Sequence, residues 1–219
     1  LFGTDGNMEE ALPTCGTIDD PTNSRECYTG VFMEESFKTI LADHGLAEIP
    51  VRDKARMERQ TQRCMRFSDI AGQACWIDMA EIFQEYYNND AKTVYESCNM
   101  APEQQAKTHC YLKAAILMAI APNLNSKDRL VTVCAPYEQD NNKDLYKKCT
   151  NFMISALMHY SSKYTDRGVA LCSNISDEFR EYCFRDLGEQ LKSSVPSTSE
   201  RLNLCSGTPS KYLKLCAQS

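Results

Sequence analysis

Twelve cysteines in a chain of 219 residues constrain the fold of this protein more than any other feature. They fall into six pairs along the sequence: Cys15 and Cys27, Cys64 and Cys75, Cys98 and Cys110, Cys134 and Cys149, Cys172 and Cys183, Cys205 and Cys216. From the second pair onward, the second cysteine of each pair recurs at steps of 35, 39, 34 and 33 residues. A period of this size is typical of repeats built from two helices. The pattern therefore predicts a repeated helical hairpin.

The residues around the cysteines predict the same local structure in each repeat. A short helix ends near the first cysteine, a polar turn such as Asp20-Pro21 starts the next helix, and the second cysteine lies about two turns into it. Apolar residues follow a helical period in the second helices, as at Phe179, Cys183 and Leu187. We predict an all-α fold, a solenoid of about six disulfide-linked helix-turn-helix repeats. In it, residues 1–219 form a single helical-repeat domain with units at about 1–44, 50–88, 90–122, 126–163, 165–195 and 197–219.

The spacing within each pair favours disulfides inside a hairpin. In an antiparallel hairpin, a cysteine near the end of the first helix faces the early turns of the second helix. An extended turn covers the roughly 10 Å that two helical turns rise, which brings the two Cα atoms to disulfide distance. Six such bridges, each closing a loop of about a dozen residues, stabilise a short repeat array that has no single large core. Bridges between adjacent repeats are the alternative.

Paired cysteines at fixed spacing in a helical repeat of 33–39 residues resemble the bacterial cysteine-rich helical repeat proteins, which are relatives of the tetratricopeptide superfamily. The resemblance covers nearly the whole chain. It implies one disulfide for each helix hairpin, and it implies a binding scaffold more than a chemical activity.

The cysteine content also indicates the compartment. Six disulfides require an oxidising environment, so we expect a secreted or periplasmic protein. The chain begins Leu1-Phe2-Gly3 without a signal sequence, and its longest apolar stretch, residues 112–121, contains Lys113 and is about half a membrane span. We therefore expect a mature soluble protein with no membrane span. The net charge of −6 argues against nucleic acid as a partner.

One segment carries a concentration of positive charge. Arg52, Arg56, Arg59, Arg63 and Arg66 are spaced by four, three, four and three residues on a helix predicted from Pro50 to about Met65. We call this set the arginine stripe. Arginine forks bind carboxylates, phosphates and sulfated groups, so the stripe is the predicted partner-binding site. The alternative is a solvated helix face whose arginines pair with acids such as Glu81 and Glu85.

The sequence offers little support for catalysis or for a metal. His109 is adjacent to Cys110, but a cysteine in a disulfide is not a nucleophile. No C-x₂-C spacing typical of zinc sites occurs. We predict no cofactor, no metal and no catalytic residue. Copper(I) bound by thiolates is the one metal alternative, because Cys and Met are soft ligands.

These observations give three hypotheses for the function. The leading one is an exported, disulfide-stabilised helical-repeat protein that recognises a protein, peptide or acidic glycan. The second is a carrier of a small apolar ligand, held in a cavity between the helix of residues 112–121 and its neighbours, or an enzyme whose site residues are dispersed. The third is the thiol-based copper-binding protein.

Overall fold

A computed structural model describes residues 8–41, 53–121, 127–160 and 164–218. Within these ranges the chain is all-α and contains no strand, as the sequence predicts. Contacts between Cα atoms divide it into two compact units, Leu1–Ala114 and Ala115–Ser219. The division into six repeats inside one solenoid domain stays a prediction.

The first unit contains three hairpins, the last of which extends into the second unit. Its helices are α1 (Met8–Cys15), α2 (Pro21–Leu41), α3 (Lys54–Cys64), α4 (Asp69–Tyr86), α5 (Ala91–Cys98) and most of α6 (Gln104–Ile120). Side chains satisfy free backbone N–H groups at the starts of some helices. Asp53 accepts from the backbone N–H of Arg56 at 3.1 Å, and Asp90 accepts from that of Thr93 at 2.8 Å.

The second unit contains the remaining hairpins. Its helices are α7 (Lys127–Thr132), α8 (Ala135–Gln139), α9 (Lys143–Tyr160), α10 (Thr165–Asn174), α11 (Asp177–Ser194), α12 (Thr198–Leu204) and α13 (Leu213–Gln218), with a 3₁₀ turn at Ser210–Tyr212. The short helix α8 was not predicted. It lies inside the longest gap between paired cysteines, the 15 residues from Cys134 to Cys149.

All twelve cysteines form disulfides within hairpins. The paired Cα atoms are 5.4–6.0 Å apart, which is the usual distance for a disulfide. In α2, α4, α6, α9 and α11 the cysteine is the seventh residue of the helix, two turns from its start. The predicted local pairing is therefore confirmed, and the alternative of bridges between adjacent repeats is wrong.

The core of each unit is built around these disulfides. Three of the four aromatic residues that directly follow a second cysteine are almost completely buried, namely Trp76, Tyr111 and Phe184, whereas Tyr28 is half-buried. The Tyr111 ring centre lies 4.9 Å from that of Tyr95 and the Phe184 ring centre 5.0 Å from that of Tyr212, so the buried rings contribute packing and do not line an exposed surface. Second helices also pack on one another, α2 on α4 in the first unit, and α9 on α11 and α11 on α13 in the second.

Membrane crossing would require a longer apolar helix than any found in the described part of the chain. The six disulfides indicate an oxidising compartment.

Candidate functional site

The arginine stripe lies partly on α3, and its members differ in exposure. Arg52 lies outside the described residues. Arg59 and Arg66 are exposed, whereas Arg56 and Arg63 are half-buried. The helix itself is confirmed over Lys54–Cys64. The function of the stripe in partner binding stays a prediction.

Arg63 packs against α2 and α1. Its guanidinium carbon lies 5.5 Å from the centre of the Phe32 ring, and its Nη1 lies 4.0 Å from the Met8 sulfur. A guanidinium over an aromatic face is held by a cation–π attraction. Arg63 therefore helps to join α3 to its neighbours.

Arg56 interacts with the acidic side of α4. Partial burial and the negative charge of Glu81 raise the pKa of Glu85, while the positive charge of Arg56 lowers it. This interaction agrees with the alternative in which the stripe pairs with acids on a neighbouring helix. Arg59 and Arg66 are the described members of the stripe that are most accessible to a partner.

A second candidate site is a groove in the second unit, with a cavity volume of about 580 Å³. Its apolar lining consists of Ile116, Phe152, Ala156 and Met158. These residues come from α6 and α9, and α11 supplies polar residues on the other side. The sequence hypothesis of a ligand carrier places an apolar cavity beside residues 112–121, and Ile116 belongs to that segment. We call this site the α9–α11 groove.

Parallel packing of α9 and α11 explains where the groove begins. Side chains 35 residues apart face each other along the two helices. Lys143 Nζ lies 2.6 Å from Glu178 Oε2, and the Asn151 amide donates to the Asp186 carboxylate. Between them, Lys147 Nζ lies 5.9 Å from the centre of the Tyr182 ring. The offset of 35 is one residue longer than the step of 34 from Cys149 to Cys183, so the cysteine repeat gives the register of the two helices to within one residue.

The next two positions of this register lie in the groove. Ser155 faces the same space as Gln190, and His159 faces the same space as Ser194. Within the described structure, the side chains of Ser155 and Gln190 make no hydrogen bond. The series of polar contacts between α9 and α11 is therefore interrupted at Ser155 and Gln190, which face the groove.

Two further hydroxyls at the groove are already used by α11. Ser193 donates to the Gln190 carbonyl at 2.7 Å, and Ser194 donates to the same carbonyl at 3.1 Å. Their protons are therefore committed to the helix, although their oxygens can still accept. Ser155 and Gln190 retain both donor and acceptor capacity.

Asp186 lies one helical turn before Gln190 on the same face of α11. Burial raises the pKa of the Asp186 carboxyl, the hydrogen bond from Asn151 lowers it, and the charge of Glu189 raises it, with a net increase. Because the folded protein binds this proton more tightly than the unfolded chain does, the ionised form destabilises the fold. The favourable contribution of this group to the free energy of unfolding is present at acidic pH and is lost as pH rises through the raised pKa.

Replacement Asp186→Asn keeps an oxygen that accepts from Asn151 and removes the charge. We expect the free energy of unfolding at neutral pH to increase by less than about 1 kcal/mol. The difference should disappear below about pH 3, where the wild-type carboxyl is protonated in both states. Urea unfolding followed by circular dichroism at several pH values measures it. The control is Asp144→Asn. The charge that it removes lies in the first turn of α9, where it interacts favourably with the helix dipole, so stability should not increase. A gain for Asp186→Asn that is independent of pH contradicts the assignment.

The cysteines considered for catalysis or for copper binding carry no free thiol. Cys110 is bonded to Cys98, so it forms no nucleophile with His109. The thiol-based copper hypothesis lacks its thiolate ligands in the oxidised protein, since no free cysteine remains. In the described ranges, no cluster of three or more His, Cys, Asp or Glu side chains is arranged to hold a metal ion. His44 lies outside those ranges.

No protein-family model matches this sequence, and no curated protein or solved structure is significantly similar to it. Sequence reasoning did not identify Ser155, Gln190 or His159. One signal for them exists, because Ser155 and Gln190 are separated by the same 35 residues as the contacting pair Asn151 and Asp186.

Proposed function

We propose that this protein is an exported, disulfide-stabilised helical binding protein that carries a small ligand with an apolar body in the α9–α11 groove. The observation that supports the proposal is the groove itself, since its volume of about 580 Å³ falls within the range of small-molecule sites. Its lining combines a mainly apolar wall with a few polar side chains, which is the usual composition of such sites.

The apolar wall gives the ligand a place to leave water. Phe152 and Ile116 are half-buried and contribute the larger side chains, while Ala156 and Met158 are almost fully buried. A ligand that covers the exposed parts of Phe152 and Ile116 gains about 25 cal/mol for each Å² of apolar surface removed from water. The apolar wall therefore supplies affinity, and the polar wall supplies orientation.

The disulfides hold the walls in place before a ligand arrives. Cys149 ties α9 to the turn before α8, and Cys183 ties α11 to α10. A site built on fixed helices loses little conformational entropy when it binds. This arrangement favours a preformed site over one assembled by the ligand.

The proposal is tested by filling the groove. Ser155→Phe places a ring in the open space between α9 and α11, and should abolish binding of Nile red, a neutral apolar dye. Ser206→Phe is a matched control because Ser206 is exposed and does not line the groove. Native mass spectrometry should show one dye bound to the wild type and to the control, and none to Ser155→Phe. Equal binding by all three proteins contradicts the proposal.

A second candidate function uses the exposed part of the arginine stripe. Arg59 and Arg66 are accessible on an otherwise acidic protein, and guanidinium groups bind sulfate and carboxylate groups well. An acidic glycan, or an acidic protein or peptide, is the partner that fits this charge. Arg56 and Arg63 are poor choices for testing it, because their replacement also removes packing.

Double replacement Arg59→Ser and Arg66→Ser tests this surface on heparin. We expect affinity at low salt to fall by about tenfold, which corresponds to about 1.4 kcal/mol for the two charges together. The control is Arg185→Ser with Lys214→Ser, which removes the same charge from exposed positions elsewhere. Affinity measured by calorimetry should change little in the control. A similar loss in both double variants assigns binding to net charge alone and rejects the site.

A further inference from the structure

The α9–α11 groove also indicates which class of ligand it takes. We propose that the ligand is electrically neutral and carries a hydroxyl or carboxamide group that bridges Ser155 and Gln190. This inference rests on the proposed function, since it concerns the same groove. In effect, the ligand supplies the contact between α9 and α11 that the protein lacks at this position.

The register of α9 and α11 brings Ser155 and Gln190 to the same space. At three successive positions, side chains of α9 and α11 contact each other through an ion pair, a cation–π contact and an amide–carboxylate hydrogen bond. At the fourth position, Ser155 and Gln190 line the same space without such a contact. A ligand group between them can accept from one and donate to the other.

The side chains of Ser155 and Gln190 both combine hydrogen-bond donors with acceptors. The Ser155 hydroxyl has one donor and two acceptor lone pairs, and the Gln190 carboxamide has two donors and an acceptor. Hydroxyl and carboxamide groups also combine donors with acceptors, so they can satisfy both residues at once. A carboxylate can accept from both residues but cannot donate to the Gln190 carbonyl oxygen, and an ammonium can donate to both but cannot accept from the Ser155 hydroxyl or the Gln190 amide.

The charge of the groove lining determines which head group of the ligand is favoured. None of the described residues that line the groove is Asp, Glu, Lys or Arg. A charged head group would lose its hydration beside Phe152 and Met158 without a fixed partner of opposite charge. His159 is the one titratable side chain of the lining, and Asp186 is already bonded to Asn151. The groove therefore favours a neutral head group on an apolar body.

Three ligands with the same apolar body separate the possibilities: decanol, decanoate and decylammonium. Calorimetric titrations at about pH 8, where free imidazole is mostly neutral, give the affinity of each for the intact oxidised protein. We expect decanol to bind about tenfold more tightly than either ion. The variants Ser155→Ala and Gln190→Leu should each weaken decanol binding by about fivefold. Gln139→Leu is the matched control, since Gln139 is exposed outside the groove and should leave affinity unchanged.

The direction of the Gln190→Leu effect is diagnostic. This variant makes the groove more apolar, so a groove that recognises only the chain of the ligand binds decanol more tightly after the change. Tighter binding, or equal binding of all three ligands, overturns the inference and leaves the carrier function in place. Tighter binding of either ion also overturns it. If none of the three ligands binds, the proposed function fails together with the inference.

Discussion

Reduction of the six disulfides is expected to unfold the protein at room temperature. Each disulfide closes a loop of 11–15 residues, and in the chain-entropy model such a loop contributes about 3 kcal/mol. Six contributions of this size together exceed the whole stability of a typical domain, which is about 5–15 kcal/mol. Treatment with a phosphine reductant should therefore remove most of the helical circular dichroism signal.

The control for this experiment is the oxidised protein in the same buffer with the oxidised form of the reductant. Alkylation and mass measurement before reduction should find no reactive thiol, since all twelve cysteines are bonded. A fully reduced and alkylated chain that keeps its helicity and a cooperative thermal transition contradicts the expected result.

Replacement Arg201→Met is expected to lower the free energy of unfolding by about 3 kcal/mol and the melting temperature by about 10 °C. Arg201 is 6% exposed and joins the ends of three elements. Its Nε donates to the Ala217 carbonyl at 2.9 Å, and its Nη1 donates to the Val195 carbonyl at 2.7 Å. Methionine fills a similar volume but leaves both buried carbonyls without a donor.

The matched control for this variant is Arg185→Met. Arg185 is exposed and forms an ion pair with Glu181 at 2.7 Å, four residues away on α11. Exposed pairs of this kind contribute little, so the change should stay within about 0.5 kcal/mol. Differential scanning calorimetry of both variants measures the contrast. Equal losses in the two variants show that the buried hydrogen bonds of Arg201 are not the source of the stability.

The sequence was sufficient for the hairpins because their determinants are local. A cysteine seven residues into a helix and another at the end of the preceding helix lie within one short loop, so spacing alone selects the pairing. Helix α8 was missed for a local reason as well. It has only five residues, beginning Ala135-Pro136, and such a segment has too few turns to show a helical period.

The arginine stripe shows where sequence reasoning ends. Spacing placed Arg56, Arg59 and Arg63 on one helix, and α3 confirms that helix. Which of them is half-buried depends on Phe32 and Glu85, which come from other helices. A helical period shows which residues of one helix share a face, but it does not show which other helices that face contacts.

The groove depends on distant residues in the same way. The step of 34 residues from Cys149 to Cys183 predicts only to within one residue which positions of α9 and α11 become neighbours, since the contacting pairs are offset by 35. It does not predict that Asn151 and Asp186 bond to each other while the next pair leaves an open space. That difference depends on side-chain size and on the third wall, where Ile116 of α6 faces the groove.

Binding of a small apolar ligand in the α9–α11 groove is tested most directly by the methyl signals of the nine methionines. In protein labelled with ¹³C at the methionine methyl groups, titration with decanol should shift the signal of Met158, which lines the groove, and the shift should saturate. Met33, Met65 and Met100 are exposed elsewhere and report non-specific adsorption. We expect their signals to stay in place. An unchanged Met158 signal, or shifts confined to the three exposed methionines, contradicts binding in this groove.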